Sequence, residues 1–227
     1  MRITWLGQAG LLFEKNGTLI MIDPYLSNSV EKYEPKNYRR VAVNQAFLSV
    51  SPDVMIFTHD HLDHYDPETA PVFFSKTDKS MTVLAPTSAW QKARANGNGH
   101  NYVQFNRNTS WTEYGLRFTA VKAEHSDLYA IGVLIEELDT GKVFYVTGDT
   151  LYNETIFAHL PKSIEAVFLP INGVGNNMNA TDAVRFAKKC GAKYAVPIHY
   201  GMFDTLDPNN FECDGRIIPC IWNEIEL

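Results

Sequence analysis

One segment constrains this chain more than any other, because it places three histidines and an aspartate directly after a short apolar run. The run is 53–58, DVMIFT, a pattern typical of a buried β-strand, and it leads into His59-Asp60-His61-Leu62-Asp63-His64. The whole chain has only seven histidines. Imidazole and carboxylate groups together suit zinc, manganese or iron, and a loop held by a rigid strand positions ligands well. The sequence therefore predicts a metal site at the end of this strand.

The spacing within the segment favours two metal ions over one. His59 and His61 stand two residues apart and can reach one ion together, whereas Asp63 and His64 are adjacent and would point elsewhere. One cluster cannot complete two coordination shells, so further ligands must come from distant positions. Three metal-type side chains follow the predicted ends of other apolar runs: His125, Asp149 and His199.

Strand patterns dominate the first half of the chain and alternate with helix patterns in the second. Strands are predicted over 3–6, 10–14, 18–22, 53–58, 81–85, 116–123, 130–138, 142–147, 166–169, 194–198 and, as an edge strand, 216–222. Helices are predicted over 87–95, 152–160 and 180–190, the last capped by Asn179, and 27–50 as a long loop with room for one short helix. This order favours layered sheets flanked by helices over a single doubly wound sheet. No linker divides the chain, so 1–227 is predicted to be one domain.

Composition excludes several classes of function. The net charge of -6 opposes binding to long nucleic acid, which needs a positive field against phosphates. No stretch approaches the roughly 18 apolar residues typical of a membrane span, and the N-terminus lacks a secretory pattern. We therefore expect a cytoplasmic protein that acts on a small molecule. The sequence leaves the oligomeric state open, a homo-oligomer included.

The histidine-rich segment resembles the His-x-His-x-Asp-His signature of the metallo-β-lactamase superfamily, and the rest of that superfamily's pattern follows in order. The resemblance implies an α/β (α+β) fold, the four-layer αββα sandwich of the metallo-β-lactamase type. Asp23, in Ile22-Asp23-Pro24, looks like the acidic residue that orients the metal loop. The implied ligands are His59, His61 and His125 for one ion, Asp63, His64 and His199 for the other, and Asp149 as a bridge between them.

Two further features bear on the subfamily. The stretches 5–10 (WLGQAG), 22–27 (IDPYLS) and 170–173 (PING) look like the branch that contains L-ascorbate-6-phosphate lactonase. Flavodiiron relatives carry a carboxylate in place of the second histidine of the signature, so His61 argues against that redox branch.

The resemblance implies two divalent ions, zinc or manganese with iron or nickel as further options, that activate a water for attack on an ester, lactone, amide or phosphoester. Asp63 is the candidate proton shuttle. The candidate hydroxyl donors are Tyr200, Tyr25 and Tyr152, and the alternative for Tyr200 is a packed aromatic ring with its hydroxyl on the backbone. Asn172, Asn176, Asn177 and Asn179 either bind substrate or serve as turn and cap residues.

Three hypotheses of function follow. The first is a hydrolase acting on a lactone or ester of a small molecule, sugar phosphates included. The second is a phosphodiesterase acting on a nucleotide or a phospholipid head group. The third is a metal-binding protein without catalytic activity, against which the complete ligand set argues.

Overall fold

The computed structural model describes residues 1–227 and contains two six-stranded sheets. In the first sheet, the spatial order of the strands is their order in the chain: β1 (Arg2–Gly7), β2 (Gly10–Lys15), β3 (Thr18–Ile22), β4 (Val54–Ile56), β5 (Thr82–Ala85) and β6 (Asn101–Gln104). The second sheet is likewise ordered: β7 (Ser110–Glu113), β8 (Leu116–Lys122), β9 (Ile131–Glu137), β10 (Val143–Val146), β11 (Ile164–Pro170) and β12 (Ala192–Ile198).

Both sheets are mixed, and each begins with antiparallel pairs and continues with parallel ones. In the first sheet, β1 to β3 pair antiparallel and β3 to β6 parallel. In the second sheet, β7 to β10 pair antiparallel and β10 to β12 parallel. The turn between β2 and β3 is formed by Asn16 and Gly17, whose φ angles of +51° and +84° fit the tight hairpin turn that this dipeptide favours.

The two sheets pack face to face through one shared core. Most of its 39 buried residues come from strands of both sheets, and the rest come from helices and loops. Phe13 of β2 illustrates the contact, because its ring lies edge-on to Phe144 and Phe168 at centroid distances of 6.2 and 5.7 Å. Such aromatic contacts add to the burial of apolar area, which dominates the stability of the sandwich.

Helices cover the outer faces of both sheets. The four α-helices are α1 (Ser29–Tyr33), α2 (Thr69–Phe74), α3 (Thr87–Ala95) and α4 (Ala180–Cys190), and 3-10 helices occupy Gln45–Ser49, Glu154–His159 and Pro208–Asn210. Helix α3 packs on β5 and β6 of the first sheet, and α4 packs on β11 and β12 of the second. The layers therefore run helix, sheet, sheet, helix, which confirms the predicted αββα sandwich.

Helix α4 begins and ends where the sequence predicts. The side chain of Asn179 accepts a hydrogen bond of 2.9 Å from the backbone N–H of Asp182, and Gly191 follows the helix in a left-handed conformation. None of the four α-helices is long and apolar enough to cross a membrane.

Two predicted elements are wrong in form. Residues 216–222 do not make an edge strand: only Arg216 bridges to Ala195, and Pro219 has no N–H with which to extend the ladder. The helix predicted over 152–160 is a shorter 3-10 helix, Glu154–His159.

Three elements, α2, β6 and β7, were not predicted. Helix α2 is only six residues long and contains Pro71, and neither strand has a fully buried residue, so their local patterns are weak.

Candidate metal centre

The seven predicted ligands converge at one edge of the sandwich, each in a loop that follows the C-terminal end of a strand. The histidine-rich segment follows β4, and the other three residues follow β8, β10 and β12. These last three strands run in the same direction because β9 is antiparallel to both β8 and β10, while β10 to β12 are parallel. The loops therefore meet at one edge, although 140 residues of chain separate the first ligand from the last (His59 to His199).

Asp63, His64 and His199 form what we call the second donor group. The Nε2 atom of His199 lies 3.2 Å from Asp63 Oδ2 and 3.3 Å from His64 Nε2, and the latter two atoms are 3.8 Å apart. Bonds of roughly 2.0–2.1 Å around a tetrahedral zinc ion would place neighbouring ligand atoms about 3.3–3.4 Å apart. The observed separations thus suit a shared cation.

His59, His61 and His125 form the first donor group, and one nitrogen of each ring lies within 4.8 Å of the others. The Nδ1 atom of His61 is 3.2 Å from His125 Nε2. The ring of His59 lies 4.6 and 4.7 Å from the rings of these two histidines, centroid to centroid. Three imidazoles in this arrangement are a donor set typical of zinc.

Asp149 faces both donor groups. Its Oδ1 atom lies 3.3 Å from His64 Nε2 and 3.2 Å from His199 Nε2, whereas its Oδ2 atom lies 3.9 Å from His125 Nε2. The carboxylate therefore offers one oxygen to each group.

Nε2 of His59 is buried at the centre without a hydrogen-bond partner in the protein, and Oδ1 of Asp149 has only the imidazole nitrogens of His64 and His199 beside it. A buried polar atom that makes no hydrogen bond is costly, typically by about 1–3 kcal/mol. A divalent cation between the donor atoms would supply the missing partner. The donor set therefore fits metal ions, with three nitrogens in the first donor group and mixed nitrogen and oxygen in the second.

Asp23, which follows β3, holds the histidine-rich loop in place. Its Oδ1 atom accepts a hydrogen bond of 2.8 Å from the backbone N–H of Thr58, and its Oδ2 atom lies 2.8 Å from Nδ1 of His64. This contact occupies Nδ1 of the His64 ring and leaves Nε2 directed at the other two members of the second donor group, Asp63 and His199. It is the contact expected of a residue that orients a metal ligand.

A glycine brings Asp149 close to the same loop. Gly148 has a φ of +61°, and a Cβ atom there would lie 2.6 Å from the carbonyl oxygen of Ile131 and 3.0 Å from Cβ of Thr58. Any side chain would push the two loops apart, so the glycine fixes the approach of Asp149 to the histidines.

The charges of the centre are strongly coupled. Burial and the imidazole of His64 lower the pKa of His59 well below its ordinary value of 6.5. Burial also lowers the pKa of His64, but the carboxylates of Asp149 and Asp63 outweigh it and raise that pKa well above 6.5. Against the same opposing effect of burial, these two carboxylates raise the pKa of His199 to about 9. Without metal, the second donor group thus holds protons that a cation would displace.

The centre lies in the wall of a cleft of about 810 Å³. Beyond the candidate ligands, Glu34 and Asp204 line the cleft. Neither is in an ion pair: Glu34 accepts a hydrogen bond from the side chain of Asn37, and Asp204 accepts two from backbone N–H groups. The only lysine or arginine in the lining is Lys92, whose Nζ atom lies 2.8 Å from Asp60 Oδ2. The cleft therefore offers two carboxylates that no cation neutralises, and its one lysine is already in an ion pair.

Comparison with known proteins agrees with this geometry. The family model described as the beta-lactamase superfamily domain matches residues 18–200. This chain belongs to the metallo-β-lactamase superfamily. A UPF0173 metal-dependent hydrolase of Geobacillus thermodenitrificans is 29% identical over 221 residues, covering 93% of this chain and 91% of the relative.

Solved structures of the same superfamily fold are more distant in sequence. The metallo-β-lactamase fold protein YhfI from Bacillus subtilis has a TM-score of 0.76 at 16% identity, covering 98% of this chain and 97% of that one. An isothiocyanate hydrolase from Delia radicum gut bacteria has a TM-score of 0.74 at 20% identity, covering 100% and 99%. These matches establish the superfamily and its fold, while the lactonase branch stays a prediction.

The sequence analysis did not predict that two further residues contact the candidate ligands. Nε2 of Gln8 donates a hydrogen bond of 2.8 Å to Asp63 Oδ2, and Nδ2 of Asn177 donates one of 2.8 Å to Asp149 Oδ2. The signal for Gln8 is a polar side chain in the tight turn between β1 and β2. Asn177 belongs to the asparagine-rich loop, for which the sequence left substrate binding and turn formation open.

The predicted tyrosines lie outside the cleft. The hydroxyl of Tyr200 donates a hydrogen bond of 3.4 Å to the carbonyl oxygen of Pro219, and its ring packs on Trp5 at 5.0 Å. Tyr25 is fully buried, and burial raises its pKa to about 12. Tyr152 donates to Glu154 on the surface. We therefore correct the expectation for Tyr200 and assign it no role in the chemistry, because its hydroxyl is turned into the core.

Proposed function

We propose that this protein is a hydrolase that binds two divalent metal ions and cleaves a small, uncharged lactone or ester. One observation carries the proposal: Asp149 directs its two oxygens at two separate sets of donor atoms. A carboxylate in this position can bind two ions at once and hold them a few ångströms apart. The UPF0173 relative is named as a metal-dependent hydrolase, which supports the same class of reaction.

The residues of each donor group have defined parts in this proposal. His59, His61 and His125 would hold the first ion, and the second donor group would hold the other, with Asp149 common to both. Zinc or manganese suits this donor set best, and iron and nickel are the alternatives. When bound, the ions lower the pKa of a coordinated water and polarise the carbonyl oxygen of the substrate.

Asp63 is the candidate proton carrier. Its side chain lines the cleft, and the positive charge of the neighbouring histidines offsets its burial and holds its pKa well below the usual carboxyl range. An ionised carboxylate at this position can accept a proton from the attacking water and pass it to the leaving oxygen.

The charge of the cleft favours an uncharged substrate over a phosphorylated one. A phosphate outside the metal centre would need an arginine or lysine, and the one lysine of the cleft is paired with Asp60. Glu34 and Asp204 would instead repel an anionic group. This argument favours the lactone or ester over both the sugar phosphate and the phosphodiester.

The test is a substrate panel with protein of known metal content. It contains an uncharged lactone, its phosphorylated counterpart, a neutral aryl ester, an aryl phosphodiester and, because a protein of the same fold hydrolyses it, an isothiocyanate. We expect turnover of the lactone or ester that chelation abolishes and added metal restores. His61→Ala should lose this activity, whereas His159→Ala, at an exposed histidine outside the centre, should keep it.

Two results would contradict the proposal. Turnover of the phosphodiester with none of the lactone or ester would make the protein a phosphodiesterase. Full metal loading without turnover of any compound would favour a metal-binding protein that is not an enzyme.

A further inference from the structure

Each of the two carboxylates at the metal centre is held by a buried carboxamide. Gln8 donates to Asp63, and Asn177 donates to Asp149. The two amide side chains belong to residues that are only 2% and 5% exposed, and both residues line the cleft. Since an ionised carboxylate can only accept hydrogen bonds, the amide nitrogen and not the oxygen must face it in both cases.

The backbone of Gln8 is fixed independently of its side chain. Its carbonyl oxygen accepts hydrogen bonds from Nε1 of Trp5 at 3.0 Å and from the backbone N–H of His199 at 2.9 Å. Gln8 itself has a φ of +49°, a conformation that a tight turn imposes. The turn thus ties Gln8 to His199 through the main chain. Its side-chain amide nitrogen bonds to Asp63 and also lies 3.1 Å from each ring nitrogen of His199, so Gln8 contacts two members of the second donor group.

The backbone of Asn177, in a loop of the second sheet, is likewise held by main-chain hydrogen bonds. Its backbone N–H bonds to the carbonyl oxygen of Val174 at 3.2 Å, and the next N–H, of Met178, bonds to the carbonyl oxygen of Thr150 at 2.9 Å. The loop after β11 is therefore fastened to the residue that follows Asp149. This places the amide of Asn177 on the oxygen of Asp149 that faces the first donor group.

We propose that Gln8 and Asn177 are positioning residues for the metal ions, and that the two residues differ in how many ions they support. Gln8 positions Asp63 and so supports the second ion alone. Asn177 positions Asp149, which faces both donor groups, and so supports both ions. Both are neutral donors, so they orient the carboxylates without cancelling the negative charge that attracts the cations. The inference rests on the proposed two-ion site.

The test is metal binding, read without any substrate. Metal-free protein is titrated with cobalt(II) in the presence of a competing chelator, the visible absorption reports each ion, and bound metal is counted by mass spectrometry. The variants Gln8→Met and Asn177→Leu remove the donor and keep much of the side-chain volume. Loss of such a supporting contact typically costs roughly tenfold to a hundredfold in metal affinity.

We expect a distinct pattern for each variant. Gln8→Met should bind the first ion like the wild type and the second at least tenfold more weakly. Asn177→Leu should weaken both ions and change both absorption bands. Gln91→Ala, at an exposed position of α3, is the matched control and should bind both ions like the wild type.

The outcomes separate this inference from the proposed function. Wild-type affinities in both variants, or an equal loss of both ions in Gln8→Met, would overturn the positioning roles and leave the two-ion site intact. A wild-type protein that binds only one ion would overturn both proposals. Circular dichroism and thermal unfolding of each variant in chelator distinguish a weakened site from a misfolded chain.

Discussion

Asp149 is the residue on which the centre depends most. It is 5% exposed, it follows a glycine that no other residue can replace without a clash, and its oxygens face different histidines. Burial raises its pKa, but His199 and His64 more than offset this and hold that pKa well below the usual carboxyl range. The carboxylate is therefore charged at any pH at which the protein would work, as a bridging ligand requires.

The coupled histidines predict how the stability of the metal-free protein depends on pH. Groups whose pKa is raised by folding, His64 and His199, stabilise the fold fully below pH 6.5, and this contribution is lost as the pH rises through their raised pKa values, which for His199 is about 9. His59, whose pKa is lowered by folding, acts in the opposite sense and costs stability as the pH falls below 6.5. The metal-free protein should be most stable near pH 6.5.

Urea unfolding in chelator between pH 5 and pH 10 measures this dependence. The free energy of unfolding should fall on both sides of the maximum, and saturating metal should remove the decline on the alkaline side, because the ions replace the protons. A stability that rises steadily up to pH 9 without metal would contradict the assignment of raised pKa values to His64 and His199.

At the scale of single elements, the candidate ligands lie in the loops that follow strands, and the strands fix the positions of these loops. Two asparagines of the loop after β11 have different contacts, since Asn177 donates to Asp149 while Asn179 caps helix α4. The neighbouring Asn176 contributes its backbone carbonyl oxygen, which lies 3.2 Å from Nδ1 of His125. The cap interpretation from sequence thus applies to Asn179, whereas Asn177 contacts a candidate metal ligand and substrate binding by this loop stays a prediction.

Asn179→Ala tests the capping role. We expect a loss of about 1 kcal/mol in the free energy of unfolding, because the N–H of Asp182 loses its acceptor. Metal affinity should change little. Asn179→Ser, which keeps an oxygen acceptor, is the control and should stay within a few tenths of a kcal/mol of the wild type. A variant of normal stability that binds metal weakly would instead assign Asn179 to the centre.

At the scale of the whole molecule, the wall of the cleft sets the charge that a substrate meets. Segments far apart in the chain form this wall: Glu34 follows helix α1, and Asp204 follows β12. These segments are directly joined, because the backbone N–H of Arg40 bonds to the carbonyl oxygen of Met202 at 2.9 Å. The fold thereby places two carboxylates on one side of the cleft.

The double variant Glu34→Gln, Asp204→Asn should change substrate preference. Relief of about 1 kcal/mol of repulsion raises kcat/KM for an anionic substrate relative to its neutral counterpart by roughly fivefold at low salt. The gain should shrink in high salt, where the charges of the exposed Glu34 and the half-buried Asp204 are screened. Glu31→Gln, on helix α1 but outside the cleft lining, is the control. An unchanged ratio in the double variant would show that the carboxylates do not select the substrate.

The sequence by itself predicted the elements that follow from local hydrophobic patterns and the side chains whose chemistry suits a metal. Period-two and continuous apolar runs placed ten strands, the hairpin signal of Asn16-Gly17 placed the turn between β2 and β3, and Asn179 and Gly191 bounded α4. The superfamily pattern then named the seven residues that the structure brings together. Short or half-exposed elements such as α2 and β6 were not predicted, because their hydrophobic patterns are too weak to distinguish them from a loop.

Only the tertiary structure decided how these parts meet. The partners of Gln8 and Asn177, the inward turn of the Tyr200 hydroxyl, and the unpaired carboxylates of the cleft all depend on contacts between distant segments. A side chain's type shows what it can bind, but its partner is set by the packing of the two sheets. For this reason the metal ligands were predictable one by one, whereas their supporting contacts and the charge around them were not.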